Sequence, residues 1–421
     1  MPDAPSAFRS NFLRDFVARG TYFDSTNPTE LDALLEKERV TAYIGFDCTA
    51  PSLHVGHALQ IMTLRRLQQA GHRPIVVLGG GTTKVGDPSF RNEARPLLSE
   101  EQIETNKQAI LKTFKNFLTF GDGPSDAIMI DNAEWLDQLE YIPFLREIGR
   151  HFSIGRMLSM ESVKAKLEAD LPFSFLEFNY MIMQAYDFLE IYRRYGCRLQ
   201  SSGSDQWGNI VGGIDLARRV DNIQLFGLTT PLITTASGAK MGKTAGGAVW
   251  LNPDMRPPYE YWQFWRNTED ADVGRFLRMF TDLPEAEIAR LESLQGAELN
   301  DAKKVLATEA TALCHGRQAA DRAAETARRT FEEGTMAEGL PTFEIERQKL
   351  EAGIPVANLA QIVGLTASVG EARRHIDGGG LRLNDMPVKD VKACASLADV
   401  TDSGAIKLSL GRKKHVLVRP V

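Results

Sequence analysis

Short apolar runs and longer amphipathic stretches alternate over the first half of the chain. The run TAYIGF at 41–46 is apolar, β-branched and aromatic, which predicts a strand buried on both faces. It breaks at Pro51; a helix then opens at 54–57 and runs through ALQIMTLRRLQQAG, with Gly71 as its stop. Similar runs predict strands in HRPIVVLGGG, in DAIMIDN at 126–132, in the stretch opening at Cys197, and in TTPLIT at 229–234. Residues 99–120 read as a polar-faced helix and 175–194 as a mostly apolar one. Residues 1–40 read as helical, with Phe8, Phe12, Phe16 and Val17 at helical intervals. Residues 135–166 mix helix and loop, and their basic, hydroxyl-bearing part suits either an interface or a mobile loop. This alternation predicts an α/β fold, with a doubly wound parallel-sheet (Rossmann-like) domain over 1–233. A mobile Gly/Ala/Ser/Thr-rich loop follows at 234–250, then a helical domain at 251–333 and a linker at 334–354. A small α+β module closes the chain at 355–421, where Asn384-Asp385 predicts a hairpin turn.

Composition narrows the class without naming a function. The chain is 43% hydrophobic and 25% charged, the balance of an ordinary globular protein. No apolar run is long enough for a membrane helix, and the first residues lack a signal-peptide core. The four cysteines are far apart and form no C-x-x-C pair, so reduced cytoplasmic thiols are expected and no metal site. Residues 355–421 carry ten Lys/Arg against six Asp/Glu, a surplus of +4 in a chain of net charge −6. A basic end on an acidic body suits either a polyanionic partner or a solvated tail.

The chemistry-bearing positions cluster where the predicted strands end. His54-Val55-Gly56-His57 opens a helix directly after the first long strand, where unpaired backbone N–H groups and the helix dipole favour phosphate. Asp87 follows a second strand and three glycines, where ligands bind in open α/β sheets, although an aspartate before proline is also an ordinary turn former. Tyr180, Gln184 and Asp187 stand at i, i+4 and i+7, on one face of a helix with little solvated surface. They either satisfy the protein's own backbone or line a pocket for a ligand with an amine and a hydroxyl. Asp205 is an N-cap by default, while Gly203, Asp205 and Gln206 together suit close approach of a nucleoside. Lys240 and Lys243 lie three apart in the Gly-rich loop and can meet a polyphosphate. G-x-G-x-x-G is absent, and the lysine loop fails the Walker spacing, so neither dinucleotide nor P-loop chemistry is indicated.

Taken in order, YIGFDCTAPSLHVGH, GDPSF, EFNYMIMQAYDF, LQSSGSDQWGNI and AKMGKT resemble the blocks of the class I aminoacyl-tRNA synthetases of bacterial tyrosyl type. The likeness spans nearly the whole chain, and the tail resembles a small RNA-binding module shared with a ribosomal small-subunit protein. The resemblance implies that Tyr43 and Asp187 bond the phenol of L-tyrosine while Asp87, Tyr180 and Gln184 hold its amino group. It implies that Thr49, His54 and His57 stabilise the ATP polyphosphate, and that Lys240, Lys243 and Thr244 meet the leaving pyrophosphate. Gly45, Asp47, Gly56, Gly203, Asp205 and Gln206 would line the nucleotide and adenylate site, with Arg91 and Arg95 as further phosphate contacts. Arg373, Arg374, Arg382, Lys413 and Lys414 would meet RNA. Cys48 stands where the family often has proline, which leaves the local backbone rigidity open.

The implied reaction is attack of the tyrosine carboxylate on the α-phosphate of ATP, then transfer to the 3′ end of tRNA(Tyr). ATP with Mg2+ is the expected substrate complex, with no tightly bound cofactor; a cytoplasmic homodimer is implied. Phenylalanine would leave the Tyr43 and Asp187 groups unsatisfied at roughly 1–3 kcal/mol each, a logic for which this family is the standard case. Three rival readings are a tryptophanyl-type enzyme, which would need room for an indole, an inactive paralogue kept for RNA binding, and a non-tRNA nucleotidyltransferase with a similar H-x-G-H, which would not require the helical domain and basic tail.

Overall fold

The computed structural model describes residues 8–89, 93, 95–238, 241–244, 247–331, 340–401, 404–411 and 414–421, with 243, 244, 330 and 331 as backbone only. A six-stranded sheet organises the first part of the chain. Its strands are β1 (Asp24–Ser25), β2 (Thr41–Asp47), β3 (Arg73–Gly79), β4 (Ile128–Asp131), β5 (Leu199–Gly203) and β6 (Phe226–Thr230), in the order β1-β6-β5-β2-β3-β4. Only β1 runs antiparallel. The chain steps outward from β2 through β3 to β4 and then returns to the other side of β2 with β5. The crevice between the carboxyl ends of β2 and β5 is therefore the switch point of the sheet.

Helices cover both faces. α1 (Asn11–Ala18) and α2 (Pro28–Lys37) pack Phe12, Phe16, Leu31 and Leu35 against Leu199, Phe226 and Leu228. The expected single helical stretch over 1–40 is thus two helices around β1. Gly20 at φ +68 and Asn27 at φ +44 leave the helical region, and Pro28 starts the next helix rather than continuing the last. α3 (Val55–Gln69) connects β2 to β3, and α4 (Glu100–Phe117) precedes β4. Four short helices, α5 (Ala133–Leu136), α6 (Tyr141–Glu147), α7 (Ile154–Leu158) and α8 (Glu161–Glu168), lead to α9 (Phe175–Tyr195). A Ser174–Glu177 capping box starts α9, and Gly196 in the left-handed region ends it. Phe188, Leu189 and Ile191 of α9 join Ile75, Val77, Leu216 and Ala217 in the core on the other face, with α10 (Trp207–Val220).

Two expectations about this region fail locally. The strand expected at TTPLIT ends at Thr230, because Pro231 has no N–H to give a ladder. Asp205 is not an N-cap: it lies inside a 3-10 turn at Ser204–Gln206, and no side chain caps either that turn or α10.

Past the sheet, β7 (Lys243–Thr244) and β8 (Gly247–Ala248) pair antiparallel within the stretch expected to be loop. Helices α11 (Pro258–Arg266), α12 (Val273–Phe280), α13 (Glu285–Glu292), α14 (Leu299–His315) and α15 (Arg317–Phe331) follow. The chain divides into two compact units, one of 1–256 with 264–316, the other of 257–263 with 317–421. Within the first, Trp265 packs on Phe276 and Phe280 of α12.

The second unit holds a five-stranded sheet. β9 (Thr342–Ile345), β11 (Leu381–Leu383), β12 (Met386–Pro387), β14 (Ile406–Leu410) and β15 (Lys414–Pro420) lie in the order β12-β11-β14-β15-β9, and β10 (Ile354–Pro355) pairs with β13 (Cys394–Ala395). Helices α16 (Arg347–Glu351), α17 (Val356–Ile362) and α18 (Val369–Asp377) complete it, around Leu359, Ile376, Leu381, Ile406 and Leu408. Asn384 and Asp385, at φ +45 and +66, form the expected turn between β11 and β12.

Candidate active site

A cavity of about 580 Å3 lies at the switch point. Its floor is built by Tyr43, Gly45 and Asp47 of β2 with Gln200 and Gly203 of β5. A Cβ at Gly45 would meet nothing within 4 Å, so the middle of β2 stays open to a ligand. Tyr180, Gln184 and Asp187 of α9 reach the same cavity, as do Asp87, Asp205 and Gln206. Thus the i, i+4, i+7 face of α9 lines a pocket.

One end of the cavity is arranged around Asp187. Trp135 Nε1 donates to its Oδ1 at 2.7 Å, and Asn132 Nδ2 donates to its Oδ2 at 2.9 Å. Burial still pushes its carboxyl up to about 7, against those two bonds and with help from the Asp47 and Asp131 charges. The Tyr43 hydroxyl is buried and has no hydrogen-bond partner. Burial and the Asp187 charge hold its pKa well above the ordinary phenol range. An orphaned hydroxyl beside a tethered carboxyl is costly in an empty pocket and is relieved by a polar ligand.

Next to them, Asp47 Oδ1 accepts from Thr82 Oγ1 at 2.8 Å and its Oδ2 from the Tyr180 hydroxyl at 3.2 Å. Burial and the neighbouring Asp87 raise Asp47 to about 6. Tyr180, whose O–H donates to Asp47, keeps lone pairs for an ammonium. Asp87 Oδ2 takes a hydrogen bond from Gln206 Nε2 at 3.0 Å, and Gln206 Oε1 in turn accepts from Asn209 Nδ2 at 3.0 Å. Gln184 Oε1 is buried and unpartnered.

The other end is the start of α3. His54 Nδ1 accepts the Gly56 N–H at 3.0 Å, and His57 Nδ1 accepts the His54 N–H at 3.2 Å. Val55 N–H goes to Val249 O at 2.8 Å, and His57 N–H to His54 O at 2.7 Å. The expected bare N–H cradle is therefore absent: two of these donors go to the imidazoles, one to His54 O and one to Val249 O. With both Nδ1 atoms accepting, the ring protons sit on Nε2, and both rings stand in the cavity wall. Burial, His54 and Arg95 hold the His57 pKa well below its ordinary value, so it acts as a neutral donor. A Cβ at Gly56 would fall 2.6 Å from the His54 ring, so only glycine leaves that ring in place. Thr49 and Arg95 complete this wall, with Arg95 Nη1 3.5 Å from Thr49 Oγ1.

The lysine segment is zipped to the same helix start. His54 bridges Trp250, Leu251 N–H donates to Leu53 O at 2.8 Å, and Asn252 N–H to Ser52 Oγ at 2.9 Å. Lys243 and Thr244 are described as backbone, in β7; Lys240 and Arg91 lie outside the described residues, as does Lys413.

A family model for tRNA synthetases class I (W and Y) matches residues 35–332. The chain is 61% identical over 415 residues to a tyrosine–tRNA ligase of Rhodopseudomonas palustris, covering 98% of this chain and 99% of that one. It is 60% identical over 414 residues to that of Nitrobacter winogradskyi, covering 98% and 99%. The chain belongs to the class I tyrosyl-tRNA synthetases. It is accordingly a ligase. A solved C-terminally truncated mitochondrial tyrosyl-tRNA synthetase of Aspergillus nidulans superposes with a TM-score of 0.69 at 30% identity, covering 77% of this chain and 95% of that one.

For a member of this family, several partners were not readable from sequence. Asn132 and Trp135 hold Asp187 across 55 and 52 residues of chain, and Asn132 Oδ1 also takes the Gly81 N–H at 2.8 Å. Gln60 and Gln200 line the cavity without any motif to mark them. Cys48 does not loosen its turn: its N–H donates to Thr83 Oγ1 at 2.8 Å, and its carbonyl accepts from Asn106 Nδ2 at 2.9 Å. In the second unit, Arg373 and Arg374 of α18, Arg382 of β11 and Lys414 of β15 are all exposed. Among the described residues, no group of three or more His, Cys, Asp or Glu stands where it would hold a metal ion, and no helix is long and apolar enough to cross a membrane.

Proposed function

We propose that the cavity binds L-tyrosine at its Tyr43–Asp187 end and Mg2+-bound ATP at its His54–His57 end. Tyrosine donates its phenolic O–H to Asp187 and accepts from Tyr43, while Asp87, Tyr180 and Gln184 take the ammonium. A carboxylate oxygen then attacks the α-phosphorus, the bond to pyrophosphate breaks, and tyrosyl-adenylate forms. No side-chain nucleophile is needed; catalysis is alignment plus hydrogen-bond donors where charge accumulates. His54 and His57 give two Nε2–H donors, Thr49 and Arg95 support the same phosphates, and Lys240, Lys243 and Thr244 meet the departing pyrophosphate, with Arg91 near it. Gly45, Asp47, Gly56, Gly203, Asp205 and Gln206 surround the adenylate. Tyrosine then passes to the 3′ end of tRNA(Tyr). The observation that carries this reading is the orphaned Tyr43 hydroxyl beside an Asp187 tethered by Trp135 and Asn132.

The exposed apolar side chains Tyr141, Ile142, Ile154, Leu158 and Phe175 support a homodimer. Four free cysteines, three of them buried, suit a cytoplasmic enzyme. The tail, with Arg373, Arg374, Arg382, Lys413 and Lys414, is proposed to meet tRNA phosphates. Arg373→Glu/Arg374→Glu should lower kcat/KM for tRNA charging about tenfold or more, and more steeply as salt falls, while tyrosine activation stays within about twofold. Equal charging by variant and parent would remove these arginines from the RNA-binding role.

A further inference from the structure

The helices after the lysine segment grip it at both ends. At the entry, Asp272 is 2% exposed, and its Oδ2 accepts the Ala236 N–H at 2.7 Å. Its Oδ1 takes Arg275 Nη2 at 2.6 Å, and the same nitrogen donates to Thr234 O. Ser237 Oγ donates to Glu269 Oε1 at 2.8 Å. At the exit, Leu251 O meets His315 Nε2 at 2.7 Å and Cys314 Sγ at 3.4 Å, from the last turn of α14. Asp272 occupies the N-cap of α12, where aspartate ordinarily accepts from its own helix; here it makes no such bond. Both its oxygens are spent instead on the segment at 236 and on the arginine that holds 234. A buried carboxylate withdrawn from its helix and turned onto another backbone serves the position of that backbone.

We propose that Asp272 and Arg275 are positioning residues for tyrosine activation. They fix the backbone at 234–236 and thereby, through the Met241 N–H bonded to Ile233 O at 3.1 Å, the place of Met241 and Gly242, which lie against Gly56 at the start of α3 directly before Lys243. Neither residue lines the cavity, and the segment they hold is the one that meets pyrophosphate, so their effect falls on ATP and pyrophosphate and not on tyrosine. This rests on the reading of the lysine segment as the pyrophosphate-binding element.

The test is ATP–pyrophosphate exchange by full-length protein without tRNA, for Asp272→Asn, Arg275→Met and Arg275→Lys, beside tyrosine Kd by equilibrium dialysis. Asp272→Asn and Arg275→Met should lower kcat/KM for ATP about tenfold or more with tyrosine Kd within about twofold. Arg275→Lys, which keeps the charge and one donor, should recover part of the loss. Arg275 is partly exposed, so its variants test the idea even if the Asp272 variant does not fold. Parental kinetics in the variants, or tyrosine Kd weakening in step with ATP, would overturn the proposal. A parent protein without tyrosine-dependent exchange would instead overturn the functional reading, and the positioning role with it.

Discussion

At the scale of single residues, the pocket works by holding groups in states they would leave if free. Asp187 sits near 7 because burial outweighs the bonds from Asn132 and Trp135. Its ionised form is the one that accepts a phenolic proton. Below pH 7 the carboxyl in the empty pocket is protonated, and tyrosine must displace that proton; above it, no such cost exists. Tyrosine Kd should therefore weaken about tenfold between about pH 8 and pH 6. Trp135→Phe removes a donor to the carboxylate and should shift the midpoint upward. Calorimetric titration at several pH values measures both; a flat profile would mean that Asp187 is ionised throughout. The α9 face of Tyr180, Gln184 and Asp187 was legible because helical spacing is local. Asn132 and Trp135 were not, since nothing in a local pattern marks a hydrogen bond across more than fifty residues.

At the scale of elements, α3 is a strut with chemistry at one end and an anchor at the other. Its start carries the two imidazoles, and its last turn carries Arg66, 4% exposed. Arg66 Nη2 donates to Arg278 O at 2.9 Å and Thr281 O at 3.0 Å, carbonyls at the carboxyl end of α12, where a cation is favoured. Arg19 donates to the same two carbonyls at 3.2 Å. Arg66→Met keeps the packing stem but strips these acceptors of a charged donor, and should cost roughly 2–4 kcal/mol in urea unfolding. A loss below about 0.5 kcal/mol would show that water or Arg19 replaces it. Strands β2 and β3 were readable because buried parallel strands are continuously apolar. The misplaced end at Thr230 and the split at Gly20–Pro28 came from single residues, a missing N–H and positive φ values, that override the surrounding pattern.

At the scale of the whole molecule, residues 264–316 fold with the sheet-bearing unit. Hydropathy gives little sign of this, since an Ala-rich helix such as α14 has the same pattern whichever body it joins. It accounts for how α12 and α14 come to hold the lysine segment. The charge surplus at the carboxyl end was legible from composition, but its distribution over α18, β11 and β15 is a product of the fold. The central claim is that one cavity selects tyrosine by its phenol and activates it with ATP. ATP–pyrophosphate exchange without tRNA, comparing tyrosine, phenylalanine and tryptophan, measures that directly. Exchange with tyrosine, and at least about a hundredfold lower kcat/KM with the other two, is the expected result. Comparable exchange with phenylalanine or tryptophan, or none with tyrosine, would contradict it.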